Sequence, residues 1–213
     1  MYGNPRIRFL PLTAQTMQKY NNMWKNTLAA VRTTIIAAMM FLAVSCGRTT
    51  ETIWIISTND MHGAIEKFPN LATLVEGYRS QDTATVFLLD AGDRWTGNPY
   101  VDMAPESGQP IIELMTEPRY DVATYGNHEF DRGQAHLETR TAEAGFPVVL
   151  ANMQALSSPI SQPDPYITLV SMGGTRIAVL GLITNFINGH PDGTDEVYEN
   201  LLFESPYDAA GTY

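Results

Sequence analysis

Three short apolar runs each end in a burst of glycine, amide, acid or imidazole. This repeated pattern constrains the fold more than any other feature of the chain. Ile53-Trp-Ile-Ile56 leads into Thr58-Asn-Asp60-Met-His62-Gly63, and Val86-Phe-Leu-Leu89 leads into Asp90-Ala-Gly-Asp93. Tyr120-Asp-Val-Ala-Thr-Tyr125 leads into Gly126-Asn-His-Glu-Phe-Asp131. Short apolar runs without a helical period read as buried strands. Polar side chains crowded at a strand end are costly unless a metal ion or a substrate satisfies them. Three such ends point to one composite site.

Between the runs lie helical patterns. Pro69 to Tyr78 starts with proline in its first turn and carries Leu71, Leu74 and Val75 on one face. Gln109 to Thr116 presents Ile111, Ile112, Leu114 and Met115, and Gly133 to Ala144 forms a third helix. The strands are placed at Ile53–Ser57, Thr83–Leu89, Asp121–Tyr125 and Val148–Ala151, with a hairpin of Tyr166–Val170 and Thr175–Leu182 around Gly173-Gly174. Leu156–Pro165 reads as a loop, and residues beyond Asn185 are poorly patterned. Strand, helix, strand, helix, strand is the order of a mostly parallel α/β sheet with covering helices. Ligands bind such sheets outside the carboxyl ends of the strands, where all three polar clusters fall.

Charge narrows the partners. The formal charge is −10, and residues 1–45 contribute +5 through Arg6, Arg8, Lys19, Lys25 and Arg32, with no acid. The remaining residues therefore carry −15. An acidic body argues against binding nucleic acid through a basic face. It is compatible with a small phosphate substrate, because bound divalent cations reverse the local field.

The N-terminal segment reads as an export signal. Lys25 and Arg32 precede the uncharged run Ile35–Val44, which is shorter than the ~20 residues of a membrane span. Residues 1–22 are long for a signal, so Met17 or Met23 is an alternative start. Leu42-Ala-Val-Ser-Cys46 resembles the looser lipobox of Bacteroidetes-type lipoproteins. That resemblance implies lipidation at Cys46, a signal peptide over 1–46, a tether over 47–52, and a protein anchored in the cell envelope or periplasm. Cys46 is the single cysteine, so no intrachain disulfide forms.

Asp60 and His62, two residues apart in a loop, are placed to reach one ion from the same turn. Asp93 has two oxygens for bridging, and Asn127 offers a neutral hard donor. Mixed oxygen and nitrogen donors suit Mn, Fe, Zn, Co or Ni. His136 reads as a surface residue, and His190 as part of a turn. Trp54 reads as core. Trp95, inside the second loop, is either a substrate contact or packing.

The three clusters, in this order and with Gly97-Asn98 following Asp93, resemble the motifs of calcineurin-like metallophosphoesterases. The closest branch holds the 5′-nucleotidases, UDP-sugar hydrolases and 2′,3′-cyclic phosphodiesterases. One four-residue word arises by chance about once in 10⁵ positions, so three in order are not accidental. The resemblance covers roughly residues 52–185. It implies the N-terminal part of an α/β sandwich, βαβαβ with helices covering the sheets. It implies two divalent metal ions, with Asp60 and His62 on the first, Asp93 bridging, and Asn127 on the second. It also implies that His128, oriented by Asp131, assists a hydroxide held between the ions as it attacks the phosphorus of a small phosphoester, a nucleotide above all. Glu129 and Phe130 are structural in this reading. Asn127 has a second reading as a turn cap, and Asp131 as a helix N-cap. The family's downstream histidine ligands and its C-terminal nucleotide-binding domain do not occur before Tyr213, and the expectation is a truncated chain. The alternative function is a catalytically inactive lipoprotein remnant.

Overall fold

The computed structural model describes residues 14–44 and 50–213. The proposed lipidation residue Cys46 lies outside the described residues. Helix α1, Ala14–Val44, belongs to one unit (Met1–Thr50), and Glu51–Tyr213 forms a second. Among the described residues no helix is long and apolar enough to cross a membrane.

The second unit opens with β1 (Thr52–Thr58), α2 (Phe68–Arg79) and β2 (Ala84–Asp90). There follow α3 (Pro99–Asp102), α4 (Gln109–Thr116), β3 (Val122–Ala123) and α5 (Gln134–Glu143). Strands β1, β2 and β3 form a parallel sheet in that order. The chain continues through β4 (Met153–Ala155), the antiparallel hairpin β5 (Tyr166–Val170) and β6 (Arg176–Leu180), β7 (Leu201–Phe203) and α6 (Pro206–Thr212). The mixed α/β architecture and the parallel βαβαβ core match the sequence reading.

The central strand is β2. It is buried almost throughout, as a parallel strand with neighbours on both sides must be. Leu88 shares one core with Val75, Ile111, Ile112, Met115, Phe130, Leu137 and Leu150. Burying a leucine or isoleucine side chain of this kind contributes about 1.5–3 kcal/mol.

Several expectations need correction. Ile53–Ser57 is not a buried strand: β1 pairs only with β2 among the described residues, and Ile55 is 57% exposed. Trp54 is not core but lies half-exposed, 4.6 Å from the ring of Tyr78. The third strand shrinks from Asp121–Tyr125 to Val122–Ala123, because pairing with β2 covers only two residues. Val148–Ala151 forms single bridges, Val148 to Ala123 and Val149 to Asp164, since neighbours meet it for one residue on each side. The tether ends before Glu51, whose carboxylate accepts from Thr85 Oγ1 (2.6 Å), Ser171 Oγ (2.6 Å) and the Gly173 amide (2.9 Å). The stretch after Asn185 is not without structure: β7 pairs antiparallel with β4, and α6 is capped by Ser205.

The outer edge of β1 is neutral, apolar and without a charged gatekeeper, which favours edge-to-edge association. Ile55→Lys is therefore expected to raise the protein concentration at which light scattering sets in, with stability changed by less than about 1 kcal/mol. An unchanged scattering threshold would show that this edge does not drive association.

Candidate metal centre

The loops after β1 and β2 run side by side and continue the pairing of their strands. Backbone amides of Ala91, Asp60, His62 and Gly63 donate to carbonyls of Thr58 (2.8 Å), Gly92 (3.2 Å), Asp93 (3.0 Å) and Arg94 (2.9 Å). Asp60, His62 and Asp93 adopt left-handed φ values of 50°, 45° and 53°. Such conformations cost energy in non-glycine residues and cluster where function holds them. A Cβ on Gly126 would overlap the Asp93 carboxylate, so the third loop approaches the second only with glycine at this position.

The fold brings Asp60, His62 and Asp93 together, with one donor atom of each within 4.8 Å of the others. His62 Nε2 lies 3.8 Å from Asp60 Oδ1. Donors about 2.1 Å from a shared ion lie roughly 3–4 Å apart, so this spacing fits a cation between them. The His62 ring supports the fit. Its Nδ1 is 2.9 Å from the carbonyl oxygen of Thr96, which can only accept, so Nδ1 carries a proton and, in the neutral ring, Nε2 is the nitrogen with the lone pair. Ligand histidines are oriented in this way, with the far ring nitrogen donating to a carbonyl or carboxylate. Burial pushes the Asp93 carboxyl above the usual aspartate range; the His128 amide offsets this in part, and Glu129 and Asp60 add to it.

Asn127 sits at the start of the short 3₁₀ turn His128–Phe130, and its side chain makes no capping bond there. Asp131 is not an N-cap of α5, since Gly133 holds that position. Instead its Oδ2 accepts from His128 Nδ1 at 2.8 Å, which aims His128 Nε2 outward. The His128 and His62 rings meet edge-on at 4.9 Å. Desolvation lowers the His128 pKa, but the hydrogen bond and charge of Asp131, with Asp93 and Glu129 behind, outweigh it and hold the imidazole above its ordinary value. This ion pair therefore adds stability below the ordinary histidine pKa of about 6.5, and loses it as pH rises through the raised value.

Beneath the loops lies a charged cluster that the sequence reading passed over. Arg94 is 1% exposed, and its Nε donates to Asp90 Oδ2 at 2.8 Å. Its Nη2 donates to the carbonyl of Thr124. Glu129, fully buried, accepts from the amides of Asp93 (2.8 Å), Arg94 (2.9 Å) and Gly126 (2.6 Å). One carboxylate thus ties the second loop to the third. Asp90 also accepts from Thr58 Oγ1 at 2.9 Å, so the end of β1 joins the same network. Charged residues directly before and within the motifs were the available signal. Their burial could not be read from the sequence.

Two other readings change. Trp95 is 1% exposed and is not available to a substrate. His136 is half-buried rather than on the surface, packing edge-on against Trp95 at 5.8 Å, with Nε2 at 2.8 Å from the Ser107 carbonyl. An apolar hollow of about 330 Å³, lined in part by Met61, Lys67, Phe68 and Leu71, opens beside Asp60. A larger cleft of about 580 Å³ around His190 and Tyr198 contains none of the clustered residues.

Fold and site together define an α/β domain with a candidate metal centre at the carboxyl ends of its parallel strands. The chain belongs to the calcineurin-like phosphoesterase family, whose model matches residues 53–206. It is similar to Protein UshA of Escherichia coli, 31% identical over 193 residues, covering 86% of this chain and 34% of the relative. It is similar to the snake venom 5′-nucleotidase of Crotalus adamanteus, 28% identical over 171 residues, covering 70% of this chain and 29% of the relative. A putative 5′-nucleotidase from Staphylococcus aureus, solved in complex with alpha-ketoglutarate, superposes with a TM-score of 0.65 at 26% identity, covering 76% of this chain and 34% of that one. The chain spans about a third of the length of these relatives.

Proposed function

We propose that this chain carries the first metal pocket and the phosphate-facing histidine of a dinuclear phosphoester hydrolase acting on nucleotides. The observation that carries the reading is the convergence of Asp60, His62 and Asp93 from two neighbouring loops, with the His62 tautomer left free to ligate. Names of relatives that contain 5′-nucleotidase support the substrate class. In this reading Asp60 and His62 would hold the first ion, Asp93 would serve both, and Asn127 would serve the second. The ions, Mn, Zn, Fe, Co or Ni by donor type, supply an acidified water and charge neutralisation for the phosphoryl group. His128, whose pKa Asp131 helps to raise, donates a hydrogen bond to a phosphoryl oxygen or a proton to the leaving oxygen. The acidic body argues against binding polymeric nucleic acid through a basic face.

The four donors assigned among the described residues are few for two ions. The 213-residue chain is therefore expected to bind Mn²⁺ and to hydrolyse 5′-AMP or bis-p-nitrophenyl phosphate slowly or not at all. Electron paramagnetic resonance titration tests the first half, and product release with Mn²⁺ or Zn²⁺ tests the second. Absence of Mn²⁺ binding would remove the metal site. Robust hydrolysis that disappears in His128→Ala would overturn the expectation of weak turnover while supporting the assigned chemistry.

The proposed location is the cell envelope, through a lipid on Cys46, with residues 1–46 as signal, 47–50 as tether and 51–213 as part of the catalytic domain. Cys46→Ser is expected to move the expressed protein from the membrane fraction to the soluble fraction and to abolish incorporation of labelled palmitate. Unchanged fractionation and labelling would refute the anchor.

A further inference from the structure

We propose that Trp95 is a positioning residue that fixes the His128 imidazole relative to Asp93. The proposal rests on the reading of His128 as the residue facing the phosphoryl group. Both backbone polar atoms of His128 are held by the second loop. Its amide donates to Asp93 Oδ1 at 2.9 Å, and its carbonyl accepts from Trp95 Nε1 at 3.0 Å. The other hydrogen bond to that carbonyl, from the Asp131 amide, is longer at 3.4 Å. The turn His128–Phe130 is a single 3₁₀ turn, whose internal hydrogen bonds have poor geometry. External partners therefore decide where the turn sits, and with it the imidazole that Asp131 aims.

The indole is itself fixed. The His136 ring meets it edge-on at 83°, and the Arg94 guanidinium carbon lies 5.5 Å from its centroid. His136 is tethered in turn to the Ser107 carbonyl. Trp95 follows the candidate bridging carboxylate by two residues, so one loop carries both the cation donor and the N–H that sets His128. A shift of the turn would move the imidazole directly, whereas Asp93 keeps its tie to the first loop through its own backbone carbonyl. Supports of this kind govern the precision of a site built on loops.

The test uses the 213-residue protein loaded with Mn²⁺ and inorganic phosphate as the probe, followed by calorimetry. Trp95→Phe keeps an aromatic ring and removes the N–H. The expected result is Mn²⁺ affinity within threefold of wild type and phosphate affinity lowered roughly tenfold, the scale on which supporting partners act. A side chain that only fills the core would not separate the two. Equal phosphate binding by Trp95→Phe and wild type overturns the proposal. Should the phenylalanine variant fail to fold, benzothienylalanine at position 95 keeps the shape of the indole without its N–H. Weakened phosphate binding there supports the proposal, and wild-type binding overturns it. A wild-type protein that takes up Mn²⁺ but no phosphate overturns the functional reading of His128, and this inference with it.

Discussion

Arg94→Met is expected to cost about 3–5 kcal/mol of stability, the scale of breaking a buried ion pair by removing one partner. Arg94 is the cation that faces both Asp90 and Glu129, with Nε 2.8 Å from Asp90 Oδ2 and 3.9 Å from Glu129 Oε1, and both acids have fully buried side chains. Desolvation works against the guanidinium, but Glu129 and Asp90 hold its pKa up, so it stays charged. Burial raises the Asp90 carboxyl even with Arg94 present. In the variant two buried acids would face each other without a cation, and Asp90, already raised, would take up a proton instead. The loss should then be largest near pH 8 and shrink as pH falls, because protonation removes the uncompensated charge. Urea denaturation at pH 8 and pH 5.5 measures both effects. A loss under about 1.5 kcal/mol at pH 8, or one independent of pH, would mean that the cluster is not electrostatically coupled.

Asp93→Ala is expected to lower Mn²⁺ affinity by ~100-fold or more, equivalent to about 2.7 kcal/mol of binding free energy. On the proposed roles this side chain is both a cation donor and the acceptor for the His128 amide. Asp93→Asn separates the two, since an amide oxygen retains the hydrogen bond and loses the charge. Weak Mn²⁺ binding in both variants supports the ligand role, and near-normal binding in Asp93→Asn refutes it. The pH dependence has a definite sign. Asp93 must be deprotonated to bind a cation, and burial raises its pKa, so affinity falls as pH drops through a window above the ordinary aspartate value of about 3.9. Without a cation the same shift works the other way. A carboxyl raised in the folded state favours folding at low pH, and that contribution is lost as pH rises through the raised pKa. The stabilisation conferred by Mn²⁺ should accordingly grow from pH 5 to pH 7.5 in thermal unfolding.

Much of the candidate metal centre was legible in local sequence. Asp60, His62 and Asp93 stand directly after apolar runs, and in a parallel sheet consecutive strands end on one side, so their polar tails converge. His128 and Asp131, three residues apart, meet within one turn, which is a local matter of spacing. Less legible were the groups beneath the site. Glu129 lies between His128 and Phe130 with nothing in its neighbours to say that it would accept from three amides of two loops. Arg94 and Asp90 are four residues apart across a loop, a spacing as common in solvated turns as in buried pairs.

Which run became the central strand was equally hidden. Ile53–Ile56 and Val86–Leu89 are both short, wholly apolar runs, yet β1 became an exposed edge and β2 the buried middle. By itself the sequence determined that these runs are strands, that helices lie between them, and that acids, amides and imidazoles crowd their ends, because periodicity and turn residues act over a few neighbours. Only the tertiary structure decided strand order, the burial of Asp90, Arg94 and Glu129, and the indole held against His128. Those depend on contacts between residues about 30 or more positions apart, whose desolvation no local pattern records.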